Sequence, residues 1–472
     1  MENTPRTVQF LPMPTETSGT PVAVNRLKRS LGLWDLIIIG IVIIQPIAPM
    51  GVYGVISNKA GGHVITTILI AMVAMLFTAI SYGRMARVYP SAGSAYTYVG
   101  QEIHPSLGYI TGWSMVMDYI LNPLICTIIC SKLTQNILPE VPYWFLAVFF
   151  AVMFSGLNLR GVKTSARIND VLAAGMMIVV IIFLAVVFRY VYGISHYRPG
   201  FFTRPFYNPE TFKSSRIFQG TSIAVLTYIG FDGISTLSEE VENPRRNILL
   251  ATVLVCVITG VLSGLEVYAA QLVWGSKPFA ENMVESAFPL VARQVGGIVM
   301  FHLLNFTILI ANIGSGMGAQ LAAARLLYGM GRNDALPKKI FGAIEPRRHI
   351  PRNNVIIIGA IALAGAFLLE FLSRHGGEGA YATGTQLLNF GAVIAFMGVN
   401  AAAFIRFFVK GQKTIANLLP PVLGFLFCFA IWLNLSRTAL KAGVIWLIVG
   451  IVYGAIKTKG FRNTMRFEEA AE

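Results

Sequence analysis

Charge is scarce in this 472-residue chain, where 12% of the residues are charged and 55% hydrophobic. Soluble domains carry roughly 25% charged residues, so a soluble protein of two or three domains is excluded. Acids are scarcer still, 22 against 37 lysines and arginines. The net charge of +15 would suit nucleic acid, but the basic residues sit between apolar runs and not on one face, which excludes a nucleic-acid surface. Cysteine is rare too: Cys126, Cys130, Cys256 and Cys428 all fall in apolar runs, as free thiols used as small hydrophobes do. No histidine or further cysteine joins Cys126 and Cys130 to make a metal site. A phosphate-cradling glycine loop, zinc-ligand spacing and a nucleophile–base pair are all missing, so neither an enzyme nor a cofactor is expected. No cleavable signal peptide precedes the first apolar run. Residues 1–30 are polar, rich in proline and threonine, end in Arg26, Lys28 and Arg29, and read as a short disordered cytoplasmic tail.

What the chain has in abundance is apolar runs of membrane-spanning length, about 20 residues for ~30 Å of hydrocarbon. They fall near 33–57, 64–88, 106–136, 141–158, 168–191, 217–238, 247–274, 296–329, 353–373, 384–408, 416–435 and 438–457. The sequence therefore predicts an all-α polytopic membrane protein of twelve transmembrane helices. With the N-terminus inside, 25 lysines and arginines lie on the cytoplasmic side and 12 outside, which predicts cytoplasmic N- and C-termini. The weakest fit is the connection near 192–216, with five basic residues outside; the heaviest inner loop, between Arg332 and Arg352, holds a predicted short interfacial helix at 336–342.

Two of these runs are interrupted. In the first, Pro46 removes a backbone donor and Pro49 suits the first turn of a new helix, amid Gly40, Gly51 and Gly54. In the sixth, Gly220, Gly230 and Gly233 flank Tyr228-Ile229-Gly230-Phe231-Asp232. Backbone groups freed at membrane depth are tolerated only against protein, a cavity or a ligand, so breaks in spans five apart point to an inverted-repeat transporter with its site between them.

Several stretches in collinear order resemble the amino acid–polyamine–organocation superfamily, and its bacterial putrescine importers most closely, from Leu33 to Lys457. They are Phe77-Thr-Ala-Ile-Ser-Tyr-Gly83, Gly93-Ser-Ala-Tyr-Thr-Tyr98, Gly112-Trp113 with Asp118-Tyr119, Leu138-Pro-Glu-Val-Pro142, Gly230-Phe-Asp232 with Thr236-Leu-Ser-Glu-Glu240, Arg325-Leu-Leu-Tyr328 with Met330-Gly-Arg332, and Asn389-Phe-Gly-Ala392. The resemblance implies a LeuT-like 5+5 inverted repeat with broken helices 1 and 6 and two peripheral helices. The corresponding divisions are a tail at 1–30, a first repeat at 31–192, an outer connection at 193–216, a second repeat at 217–410, helices 11 and 12 at 411–458 and a tail at 459–472.

The expected substrate site comprises Ile44, Gln45, Pro46, Ile47 and Ala48 at the first break, Tyr228, Ile229, Gly230 and Phe231 at the second, and Asp118 and Asn122, one turn apart on span three. Half-helix amide ends favour a carboxylate and carbonyl ends an ammonium. Acids within spans cost ~2.5–3.5 kcal/mol at the bilayer centre, which singles out Asp118, Asp232 and Glu266. Asp118 serves equally as a substrate residue or as a structural partner. By resemblance Asp232 matches a proton-responsive acid of arginine/agmatine-type exchangers; its other reading is a helix-start acid on the dipole of the second half-helix. Glu266 departs from the importers' pattern; it reads either as a proton or amine site or as an acid hydrogen-bonded to a neighbouring span. Two further departures concern Gly51, where the importers carry an aspartate, and Met176, where the cationic amino acid branch carries a lysine. The loss at Gly51 leans toward an α-amino acid over a diamine. His302 reads as a hydrogen-bonded core histidine. Glu239, Glu240 and Glu242 near Arg245 and Arg246 read as a solvated rim, able to pair with Arg84 and Arg87 as an inside gate, and Trp113, Tyr119 and Tyr228 as aromatic cover for a ligand. The reading is a secondary active transporter of amino acids or polyamines in the cell's inner membrane, working by alternating access, with a coupled proton and the lipid bilayer as further partners and no nucleic acid. The alternatives are an obligate amino acid/amine exchanger and a non-transporting sensor or channel.

Overall fold

A computed structural model describes residues 31–90, 93–160, 166–238, 241–332, 334–345, 350–375 and 379–458. The tails at 1–30 and 459–472, and Glu239 and Glu240 of the expected rim, lie outside the described residues. Each apolar run is helical, because no water in hydrocarbon can satisfy a backbone group that the segment does not pair itself. The helices are α1 (Leu33–Ile44), α2 (Ala48–Ala60), α3 (Val64–Val88), α4 (Ser94–Glu102), α5 (Pro105–Gln135), α6 (Tyr143–Leu159), α7 (Ala166–Tyr192), α8 (Ser214–Ala224), α9 (Phe231–Thr236), α10 (Pro244–Trp274), α11 (Ala287–Arg332), α12 (Lys338–Phe341), α13 (Arg352–Arg374), α14 (Ala380–Phe404), α15 (Ile415–Leu433) and α16 (Arg437–Lys457). Among the described residues ten segments are long and apolar enough to cross a membrane, and the bent pair α1–α2 would make an eleventh. α6 is apolar but has 17 residues, about 26 Å of helix at 1.5 Å per residue, slightly less than the hydrocarbon thickness. The protein is an all-helical, multi-pass membrane protein.

α5 is the central post: 83% of its apolar window is buried, against 22% for α15 and α16, which flank the bundle. α11, α13 and α14 pack around α5, while α3 lies along α10. α11 begins earlier than its apolar run, because Gly297 at φ 67° joins a helical lead-in from Ala287 to the spanning part. The predicted inner interfacial helix is the single turn α12.

Two expectations change here, those for His302 and Trp113. His302 is exposed, its ring beside Phe301 at 5.3 Å; it shares an outward stripe of α11 with Val299, Phe306 and Ile310, so helical phase turns it away from the core. Of the expected inside gate, Glu239 and Glu240 lie outside the described residues, and Arg84 is bonded to groups other than Glu242. Its guanidinium donates to the Ala416 carbonyl (3.1 Å) and to Asn417 Oδ1, and lies 4.0 Å from the Phe407 ring centre. The buried acid at this end is instead Glu102, which accepts from Tyr89 Oη (2.7 Å) and Lys410 Nζ (2.9 Å), with Arg406 Nε at 3.4 Å. Trp113 is taken up by α16, stacking on Trp446 with a centroid distance of 4.7 Å and donating to the Trp446 carbonyl, and so covers no site at the breaks.

Candidate functional site

The first break forms where Pro46 has no N–H to offer the Val42 carbonyl, and Gln45 turns the chain at φ 62°. α2 restarts at Ala48 with Pro49 in its first turn, its axis 42° from that of α1. Side chains from two other spans hold the turn. Gln45 Nε2 donates to the Ala311 carbonyl of α11 (2.6 Å), and Ser263 Oγ of α10 donates to the Pro46 carbonyl (3.2 Å). Ile44 and Ile47 are buried beside it, and Ala48 is half-buried.

The second break follows α8 through one 3-10 turn, Val225–Thr227, to Gly230 at φ 121°. An L-residue rarely adopts that conformation, and a Cβ there would stand 2.9 Å from Ile43 Cγ2. Ile43 of α1 thus rests on Gly230, and the ideal Cβ of Gly233 lies 3.7 Å from Ile43 Cδ1, so the two breaks abut.

Asp232, in the first turn of α9, binds both sides of this junction. Its Oδ1 accepts the Gly230 N–H (3.2 Å) and its Oδ2 accepts Tyr119 Oη of α5 (3.1 Å). The carboxyl of buried Asp118 lies within electrostatic range of it. Along the same helix Asn122 Oδ1 accepts the Cys126 thiol (3.3 Å), which also reaches Asn312 Oδ1 of α11 (3.9 Å), next to the Ala311 that receives Gln45. Gln45, Ala311, Asn312, Cys126, Asn122, Tyr119, Asp232 and Gly230 thereby link α1–α2, α11, α5 and α9 into one wall around the breaks.

Other candidates are committed elsewhere. Tyr228 Oη donates to the Ile68 carbonyl of α3 (2.9 Å), and Phe231 packs between Tyr82 and Phe396, so both side chains anchor the second break in the core. Ile229 is buried between them. Asn389 Nδ2 donates to the Ser222 carbonyl near the end of α8. Glu266 is the clearest correction: no hydrogen bond to a neighbouring span satisfies it, since neither carboxylate oxygen has a partner among the described residues and the residue is 0% exposed. The sequence reading missed Asn312, Cys126 and the pairing of Tyr119 with Asp232; the available signal for Asn312 was a polar amide inside the apolar run of span eight.

The profile of the Amino acid permease family matches residues 34–467. The chain belongs to this family. The permease is 33% identical over 455 residues to the low-affinity putrescine importer PlaP of Escherichia coli K12, covering 94% of this chain and 97% of that one. It is 27% identical over 439 residues to the branched-chain amino acid permease BcaP of Lactococcus lactis, with 84% and 87% covered. A methylthioribose transporter of Bacillus subtilis is 23% identical over 479 residues, with 94% and 96% covered. These relatives are transporters, and this permease is a secondary transporter and not an enzyme; a channel or sensor is not favoured.

Proposed function

We propose that the permease moves a small cationic amine, a diamine foremost, through the junction of the two breaks by alternating access. The observation that carries this is the buried carboxyl of Asp232 at that junction, with buried Asp118 next in sequence to the Tyr119 that bonds it. An ammonium group is received best by carboxylates and by carbonyls such as that of Val42, freed by Pro46. The opposite pole for a carboxylate is weak. At the start of α2 the Ala48 N–H already bonds to the Gln45 carbonyl and the Met50 N–H to that of Ile47, Pro49 has none, and only the Ile47 N–H is left. This reverses the lean toward an α-amino acid drawn from Gly51. The Tyr381 hydroxyl stands 3.1 Å from where a Cβ of residue 51 would be, so a tyrosine takes the space of the importers' aspartate.

In this reading the chain has twelve spans as a LeuT-like 5+5 inverted repeat, 31–192 and 217–410 about the connection 193–216, with 411–458 peripheral. Both termini face the cytoplasm of the inner membrane, as the distribution of basic residues favours. Counterflow of labelled putrescine in proteoliposomes tests it, with leucine, arginine and unlabelled putrescine as competitors. Competition by putrescine and arginine but not leucine, weakened in Asp118→Asn, is expected; competition by leucine alone sinks the assignment to amines.

A further inference from the structure

Glu266 lies in the middle of α10, and its two oxygens have no partner among the described residues. A bare carboxylate without a hydrogen-bond partner is costly at that depth, which favours the neutral acid until water or a cation reaches it. Its direction follows from helical phase. Val255 faces Gly40 of α1, and Ser263 bonds to the Pro46 carbonyl; Glu266 continues this stripe one turn on. The acid therefore faces the first break, from a different helix than those that carry Asp118 and Asp232. The titratable groups at membrane depth on elements packed against α10 are Tyr53 of α2, Tyr82 of α3, Tyr228, Asp232 of α9 and His302 of α11; Lys59, Arg84, Arg189 and Arg293 stand nearer the helix ends. Among the described residues none of these groups is within hydrogen-bond distance of the Glu266 oxygens.

We propose that Glu266 is the carrier of a co-transported proton, separate from the amine-binding acids. The proposal rests on the amine-transport reading above. With the first break open to the outside, a water-borne proton joins a Glu266 oxygen; the carboxylic acid is neutral during the passage, and the same O–H bond breaks to water on the inside. The Ser263–Pro46 bond ties the turn that carries Glu266 to the segment that must move, so protonation and movement of the break share one piece of structure.

The test uses the full chain in proteoliposomes with the membrane potential clamped and labelled putrescine as substrate. Wild type under an outside-acid gradient is expected to accumulate substrate about tenfold per pH unit for one coupled proton, and to acidify the lumen as substrate enters. Glu266→Gln is expected to lose accumulation and the pH dependence of uptake while exchange persists at a reduced rate. Accumulation by Glu266→Gln as in wild type overturns the proposal. So does loss of exchange in a monodisperse Glu266→Gln preparation, which would make Glu266 an amine ligand, and so does a sodium gradient that drives wild type where a pH gradient does not. Should Glu266→Gln fail to fold, the wild-type pH signal decides alone: substrate entry without lumenal acidification overturns it. Absence of any putrescine or arginine counterflow in wild type would instead fell the amine reading.

Discussion

The two breaks look alike in sequence, a helix interrupted by proline or glycine, yet only the second has an internal side-chain bond of its own beside its ties to neighbouring spans. The first is held from outside: Gln45 is bonded to α11 and Pro46 to α10, so its shape depends on where two neighbouring spans stand. The second is also anchored by its neighbours, Tyr228 on α3, Tyr119 on α5 and Phe231 against Tyr82 and Phe396, but it carries in addition an internal bond, from the Gly230 N–H to Asp232 two residues on. A break defined by its neighbours changes shape when they move; a break with an internal bond besides keeps more of its geometry. Their only direct contact described above is Ile43 on Gly230 and Gly233.

The largest effect is expected at that contact. Gly230→Trp adds backbone strain of about 1–3 kcal/mol to overpacking of about 1–3 kcal/mol. Both transport and the yield of folded protein should collapse, so this variant alone cannot separate a filled pathway from a broken fold. Gly233→Leu sharpens the comparison, since its Cβ meets Ile43 at ordinary contact distance on a helical backbone. It should elute as wild type from a sizing column and fail in counterflow; full counterflow would mean that substrate does not pass the junction.

Asp232→Asn comes next. Asparagine Oδ1 can still accept the Gly230 N–H, so thermal stability should hold, but the charge is gone. A charged hydrogen bond is worth about 1.5–3 kcal/mol, which predicts a rise in KM for cationic amines on the order of 10- to 100-fold. An unchanged KM would reduce Asp232 to its capping role.

Gln45→Ala should behave in the opposite manner. It removes the tie from the first break to the Ala311 carbonyl together with buried side-chain volume, at about 1–3 kcal/mol, so thermal unfolding should drop while the ranking of competing amines stays the same. The smallest effect is expected from Ser263→Ala, about 0.5–1.5 kcal/mol. If these two changes altered substrate ranking as much as Asp232→Asn, the contrast between the two breaks would fail.

Most of the spans and both breaks were legible because hydrocarbon admits only self-satisfied backbone, and proline and glycine announce where that rule is suspended. Pro46 with Pro49 gave the first break to within a residue, and Gly230 the second. Side-chain commitments were not legible. Nothing in the sequence distinguishes Tyr228, bound to a carbonyl of α3, from Tyr119, bound to Asp232, since both are tyrosines in apolar runs and only the packing of α3 and α5 against the second break separates them. His302 was misplaced for a similar reason: a single polar residue carries no information on helical phase until its neighbours Val299 and Phe306 are read as an outward stripe.

Glu102 has a consequence for how the chain is made. Its cation Lys410 is 308 residues further along the sequence. At about 5–20 residues per second, the acid waits roughly 15–60 s for its partner during synthesis. A chain stopped before the end of α14 would keep a carboxylate in a pocket built to bury it, destabilised by about 3–5 kcal/mol relative to the finished chain. Completeness of the polypeptide is thereby written into the stability of α4 and of the segment that follows α14, and a nascent protein lacking roughly its last seventh would be marked for proteolysis by the cell's own triage of unstable chains.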